Sequence, residues 1–197
     1  MKKFLTIVMA LAMTLTMFAG CGASAPVETT ETPTTEVAVE APASALEILE
    51  TIWADYAEDE KFAIIGGNIE AGIMDAPGTY DLAYAENMTY NLLVPADHIG
   101  DVAEAASMIH MMNANTFTCG AFTLAEGVTA ADFGVAMRDA IQGNQWMCGF
   151  PDQLIIVSFG DSHVLAAFGV NDAMNPFINH LNAVYPGCET LYTETIG

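Results

Sequence analysis

Basic residues are nearly absent from this chain. It carries four lysines and arginines against 25 aspartates and glutamates in 197 residues, which gives a formal net charge of −21 at pH 7. Nucleic-acid binding relies on a basic patch that neutralises phosphates, so this composition excludes a nucleic-acid partner. Adsorption to an anionic membrane is disfavoured for the same reason. The acidity either keeps an exposed protein soluble or attracts a cationic peptide, a basic protein surface or a divalent cation.

Motifs of catalysis and cofactor binding are also lacking. The sequence has no Cys-x-x-Cys pair, and Gly66-Gly67 is not followed by the lysine and helix of a phosphate-binding loop. Gly160-Asp161-Ser162 resembles a motif of a family of serine esterases, but that family also needs a distant Asp-x-x-His, which this chain lacks. We therefore expect a protein that is not an enzyme and uses no cofactor.

A long apolar run lies at the N-terminus. Lys2 and Lys3 precede it, threonines are its only interruptions from Phe4 to Phe18, and Ala19-Gly20-Cys21 follows. A positive region, a short apolar region and small residues are typical of an export signal, since a membrane span needs roughly 20 apolar residues. An ordinary secretory signal and an uncleaved anchor are the alternatives.

The residues Phe18-Ala19-Gly20-Cys21 resemble the lipobox of bacterial lipoprotein signal peptides, in which small residues precede an invariant cysteine. The resemblance implies that residues 1–20 are cleaved and that Cys21 receives a diacylglyceryl group. It also implies a protein anchored by lipid on the extracytoplasmic face of the cell membrane. A cysteine with more than one acyl chain anchors stably. The whole layout resembles the small uncharacterised lipoproteins of Gram-positive bacteria.

The mature chain divides into two parts of different composition. Residues 21–43 consist largely of Thr, Glu, Pro, Ala and Val without helical or alternating pattern, which predicts a disordered tether. Residues 44–197 are rich in large apolar side chains, and about 150 residues is a common size for a single domain. Without its two N-terminal lysines the chain keeps Lys61 and Arg138 against 25 acidic residues, a formal charge of −23.

Capping signals predict three helices in the domain. In each, a residue that favours the N-cap is followed by a residue suited to the first turn. The signals are Ser44 with Glu47, Thr129 with Asp132, and Asn175 with Pro176. A further short helix is expected at 81–93, with a short strand at 90–94 as the alternative.

Apolar runs bounded by turn residues predict the strands. Residues 105–112 and 116–123 would form one hairpin, although the first run could instead continue a helix begun at Asp101. The alternation of the second run predicts one solvent-facing side. Residues 153–159 and 163–168 flank the turn Gly160-Asp161-Ser162, and 189–195 is the last strand.

The predicted elements give an α+β fold. From Thr116 onward their order is β-α-β-β-α-β, which is that of the split βαβ or ferredoxin-like fold. The strand at 105–112 is an addition, and the N-terminal helix serves as a cap. This fold hosts many unrelated functions, so no function follows from it.

The stretch from Met108 to Met112 contains the strongest candidate metal ligands. On a strand, Met108, His110 and Met112 would share one face, and two thioethers with an imidazole suit Cu(I). The alternative is that the methionines fill the core and His110 is hydrogen-bonded. We expect no metal, and keep a metal- or redox-handling envelope protein as the second hypothesis.

Two segments that mix amides, an aromatic residue and Cys-Gly provide the candidate binding patch. If they meet at one end of the sheet, they would line a polar and aromatic cleft. Alternatively, Cys119 and Cys148 form a disulfide, Trp146 caps the core beside them and Cys188 stays free. The patch residues are Asn113, Asn115, Asn144, Gln145, Trp146 and Phe150.

These features predict a non-enzymatic binding or interaction module held at the membrane by its lipid. A peptide, a glycan or another envelope protein is the expected ligand, because aromatic rings supply contact area and amides supply direction.

Overall fold

An antiparallel sheet of eight strands forms the centre of the fold. The computed structural model describes residues 42–112 and 116–197. The strands are β1 (Ile64–Gly66), β2 (Ile73–Met74), β3 (Gly78–Tyr80), β4 (Val102–His110), β5 (Phe117–Leu124), β6 (Gln153–Phe159), β7 (His163–Gly169) and β8 (Glu189–Thr195). The main path of the sheet runs β2-β1-β4-β5-β7-β6-β8, and β3 also pairs with β4.

Helices cover both faces of this sheet. The α-helices are α1 (Ala45–Asp55), α2 (Met88–Asn91), α3 (Ala130–Gly143) and α4 (Asn171–Val184). Within the described ranges, three 3₁₀ helices lie at Ile69–Ala71, Leu82–Asn87 and Ala96–Asp101. The structure is thus a mixed helix and strand domain with an antiparallel sheet, which confirms the predicted α+β class.

The sheet separates two hydrophobic cores. Side chains alternate along β5, so that Phe117 and Cys119 join α1 and α4 in one core, while Phe122 and Leu124 join α3 and α2 in the other. α1 and α4 therefore lie on one face, and α3 and α2 lie on the opposite face.

The signal at Ser44 works as the sequence predicts. Its Oγ accepts a hydrogen bond from the Glu47 backbone N–H at 3.1 Å, and the Glu47 carboxylate accepts one from the Ala43 N–H at 2.7 Å. The apolar positions of α1 that follow are buried as expected: Ala45, Ile48, Leu49, Ile52 and Trp53.

The two predicted hairpins are both present. β4 and β5 pair antiparallel with Met108 opposite Cys119, and β6 and β7 pair across a turn in which Gly160 has a φ of +63°. The helix alternative for the first run is wrong. The expected solvent-facing side of β5 is also wrong, because helices cover both faces of that strand.

The predicted start of α4 at Asn175 is likewise wrong. The helix begins at Asn171, which places Pro176 inside it. The Asp152 carboxylate accepts a hydrogen bond from the Asn171 backbone N–H at 2.8 Å, and Gln153 Nε2 donates to the Asn171 and Asn175 side-chain oxygens. A cap supplied from another element thus outweighs the local signal.

Candidate functional site: a cleft at one end of the sheet

A cavity of about 180 Å³ opens where β4 ends and β5 begins. The loop after α3 supplies Asn144 and Trp146, and α2 supplies Tyr90 and Asn91. His110 and Met112 border it from the end of β4. Aromatic rings, two amides, an imidazole and a thioether therefore converge in one cleft.

Trp146 places an unsatisfied donor beside this cleft. Its ring packs against Phe168 of β7, with the centroids 5.4 Å apart, and this contact fixes the indole. Its Nε1 is buried yet has no hydrogen-bond partner among residues 42–112 and 116–197. A buried N–H without an acceptor is costly, so the arrangement favours an acceptor from a ligand or from water.

His110 is held in one orientation at the border of the cleft. Its ring stacks on Phe62 with the centroids 5.1 Å apart and the planes 9° apart. Nδ1 accepts a hydrogen bond from the Met112 backbone N–H at 2.9 Å, which leaves the proton of the neutral ring on Nε2. Burial lowers the pKa of His110 below its ordinary value, so the imidazole is neutral at pH 7.

Exposed apolar side chains line the cleft and occur on the loop that carries Trp146. Tyr90 is 81% exposed, Met112 is 59% exposed, and Met147, next to Trp146, is 87% exposed. Phe150, on the same loop, is 67% exposed. Apolar groups gathered around a cavity mark a binding surface more often than scattered ones do.

The structure brings together part of the predicted patch. Asn144 and Trp146 line the cleft, while Gln145 and Phe150 are exposed on the same loop. Asn113 and Asn115 lie outside the described residues. Sequence reasoning missed Tyr90 and Asn91, although they show the same pairing of an aromatic residue with an amide as the segments that it found.

The predicted metal ligands are spread from the core to the surface. Met108 is fully buried opposite Cys119, His110 borders the cleft, and Met112 is mostly exposed. Among the described residues, no group of three or more His, Cys, Asp or Glu side chains is arranged to hold a metal ion.

The three cysteines of the domain are free thiols in the structure. Cys119 is buried in the core beneath α1 and α4, and that burial raises the pKa of its thiol. Cys148 is exposed and lines the cleft together with Thr118 and Phe168. The side chains of Thr118 and Phe168 lie on the face of the sheet opposite to that of Cys119. The geometry therefore gives no support to a bond between them. The third thiol, Cys188, is half-buried.

A second cavity adjoins the cleft on the side of α4. It measures about 290 Å³ and is lined by Glu60, Phe62, His110, Val170, Asp172 and Ala173. His110 is common to both cavities. The backbone N–H of Val170 donates to the carbonyl of Thr116, a residue of the cleft, at 2.8 Å. The two cavities are therefore neighbours at the same end of the sheet.

The serine, aspartate and histidine of the turn before β7 lie at the opposite end of β5. Ser162 Oγ and His163 Nδ1 are 2.9 Å apart, and His163 pairs with Thr123 at the far end of that strand. His163 is only 7% exposed, and Asp161 is exposed in the turn. Neighbouring residues placed in this way do not form a catalytic relay.

Comparison with known proteins gives this chain no relative. No protein-family model, no curated protein and no solved structure matches it. Within residues 42–112 and 116–197, no helix has the length and apolar character required to cross a membrane.

Proposed function

We propose that this chain is an extracytoplasmic lipoprotein, anchored through Cys21, whose domain binds a ligand without catalysing a reaction. The positive residues, the apolar run and the lipobox-like ending support the anchor. The convergence of aromatic and amide side chains in one cleft supports the binding role.

The Trp146 N–H, which has no partner among the described residues, carries the binding proposal. It is buried beside the cleft, while exposed apolar side chains border the opening. A ligand that offers a hydrogen-bond acceptor and an apolar group would satisfy the indole and cover these side chains. A peptide, a glycan or a segment of an envelope protein has such groups.

Replacement of Trp146 by Phe tests this role directly. The variant keeps a ring to pack against Phe168 but loses the N–H. We expect the mature wild-type chain to bind members of a peptide and glycan array, and W146F to bind them about fivefold or more weakly. In the wild type, binding relieves the cost of the unsatisfied donor, which is about 1 to 3 kcal/mol, whereas W146F has no donor for the ligand to satisfy.

Tyr192→Phe is the matched control. It removes a polar atom from an aromatic side chain on β8, which lies away from the cleft, and it should bind as the wild type does. Equal binding by W146F and the wild type would contradict the proposed site. Substrate turnover that is lost on changing His110 or His163 would instead indicate an enzyme.

We also infer that residues 117–195 are a variant of the ferredoxin-like arrangement. Their elements follow in the order strand, helix, strand, strand, helix, strand. The helix α3 connects β5 to β6, and β7 lies between these two strands in the sheet. β4 is the added strand and α1 is the cap. The variation lies in β8, which pairs with β6, and in the packing of α3 and α4 on opposite faces.

A further inference from the structure

We propose that the cleft and the second cavity together bind a peptide segment in which a lysine or arginine adjoins a large apolar side chain. This inference rests on the proposed binding function and names its ligand. The apolar side chain would occupy the cleft beside Trp146, and the cationic group would occupy the cavity that contains Glu60 and Asp172.

The second cavity contains two carboxylates that are at most weakly paired among the described residues. The Asp172 carboxylate has no hydrogen bond or ion pair in the described part of the chain. Glu60 accepts a hydrogen bond from the Ala57 backbone N–H at 3.2 Å and approaches His180 only to 3.7 Å.

The two basic side chains of the domain are paired with carboxylates other than Glu60 and Asp172. Lys61 binds Glu58 at 2.6 Å, and Arg138 binds Glu194 and Asp139 at about 3.0 Å. These are the two basic residues beyond the N-terminal lysines. A cationic partner therefore has the complementary charge, and the acidic domain would also steer it toward the surface.

The two cavities differ in chemistry in a way that fits two adjacent side chains. Among the described residues, the cleft is lined by aromatic, amide, sulfur and apolar groups and by no carboxylate, whereas the adjoining cavity has two carboxylates. His110 lies between them and is neutral at pH 7, so it does not repel the cation. A small neutral ligand would make no charge–charge contact with the two carboxylates of the second cavity.

Titration of the mature chain with three short peptides tests the proposal. The probes are acetyl-Lys-Phe-Lys-Phe-Lys-amide, the same peptide with glutamate at each lysine, and the same peptide with alanine at each phenylalanine. Calorimetry should show binding of the first probe. The other two should bind at least tenfold more weakly, since each lacks one of the two required groups.

Two variants with the same change of charge separate local recognition from general attraction. Asp172→Asn should weaken binding of the lysine-phenylalanine probe about fivefold, while Asp161→Asn, in the turn at the far end of β5, should leave it unchanged. An equal loss in both variants would overturn the site, because it would show only attraction to net charge.

The outcome also separates this inference from the proposed function. If the lysine-phenylalanine probe does not bind, but a glycan or a neutral peptide binds in a manner that depends on Trp146, the basic ligand is wrong and the binding role stands. If no member of the array binds to the wild-type chain, both fail.

Discussion

At the scale of the residue, the buried side chain of His163 is the most consequential feature outside the cleft. Burial lowers the pKa of His163, and the charges of Glu104 and Glu47 offset this only in part. His163 Nε2 has no hydrogen-bond partner within the described ranges. The folded protein thus resists protonation at this ring more than the unfolded chain does.

This property predicts the direction of a pH effect. A histidine with a lowered pKa in the folded state contributes stability that is fully present above the ordinary pKa of about 6.5. That stability is lost as the pH falls below this value, because the unfolded chain then binds more protons. We expect the melting temperature to be lower at pH 5.5 than at pH 7.5, and this difference to be smaller in His163→Gln than in the wild type.

His98→Gln provides the comparison for this prediction. His98 is half-buried, and unlike His163 Nε2 its Nδ1 has a partner, the Asp101 carboxylate at 2.7 Å, so its replacement should not lessen the fall between the two pH values. If His163→Gln and the wild type lose the same number of degrees, His163 is not the source of the effect.

At the scale of the element, α4 shows how a distant residue can determine where a helix begins. Its first N–H bonds the Asp152 carboxylate, which lies just before β6. An acidic group at a helix N-terminus satisfies an orphan donor and interacts favourably with the helix dipole.

Replacement of Asp152 by Ala should therefore destabilise the domain. Loss of such a cap costs about 1 kcal/mol, which corresponds to a fall of roughly 2 to 4 °C in the melting temperature for a domain of this size. Thermal unfolding followed by circular dichroism would measure it. Asp161→Ala, an exposed change of the same type, should shift the melting temperature by less, and equal shifts would show that Asp152 contributes no cap.

The same contrast explains what could be predicted from the sequence. Ser44, Thr129 and Gly160 act on neighbours within three or four residues, so helix starts and a turn could be read locally. The cap from Asp152 and the cover over both faces of β5 depend on contacts that sequence spacing does not encode. The cleft was predicted in part. Asn144 and Trp146 belong to a segment whose mixture of amides, an aromatic residue and Cys-Gly is recognisable, whereas Tyr90 and Asn91 come from another element.

At the scale of the whole molecule, the composition separates the group proposed to attach the protein to the membrane from the groups proposed to bind a ligand. A mature chain with a formal charge of −23 would be repelled by anionic lipid, so the proposed membrane attachment relies on the acyl groups proposed for Cys21. The same charge is suited to a cationic partner.

Replacement of Cys21 by Ser tests the attachment. The variant cannot be acylated at this position, so it should leave the membrane fraction for the soluble or secreted fraction. Separation of cell fractions followed by immunoblotting would measure this, with Cys188→Ser as the control that should remain with the membrane. A C21S protein that stays in the membrane fraction would contradict lipid anchoring at that residue.

The most direct test of peptide recognition at the cleft uses the two indole N–H signals of the chain in a ¹H–¹⁵N correlation spectrum. Trp53 Nε1 already donates to the Asp75 carbonyl at 3.2 Å, whereas Trp146 Nε1 has no partner among the described residues. On addition of the lysine-phenylalanine probe, the Trp146 signal should move to the position of a hydrogen-bonded indole, and the Trp53 signal should move much less. If the Trp146 signal does not move at saturating probe, the peptide does not bind at this cleft.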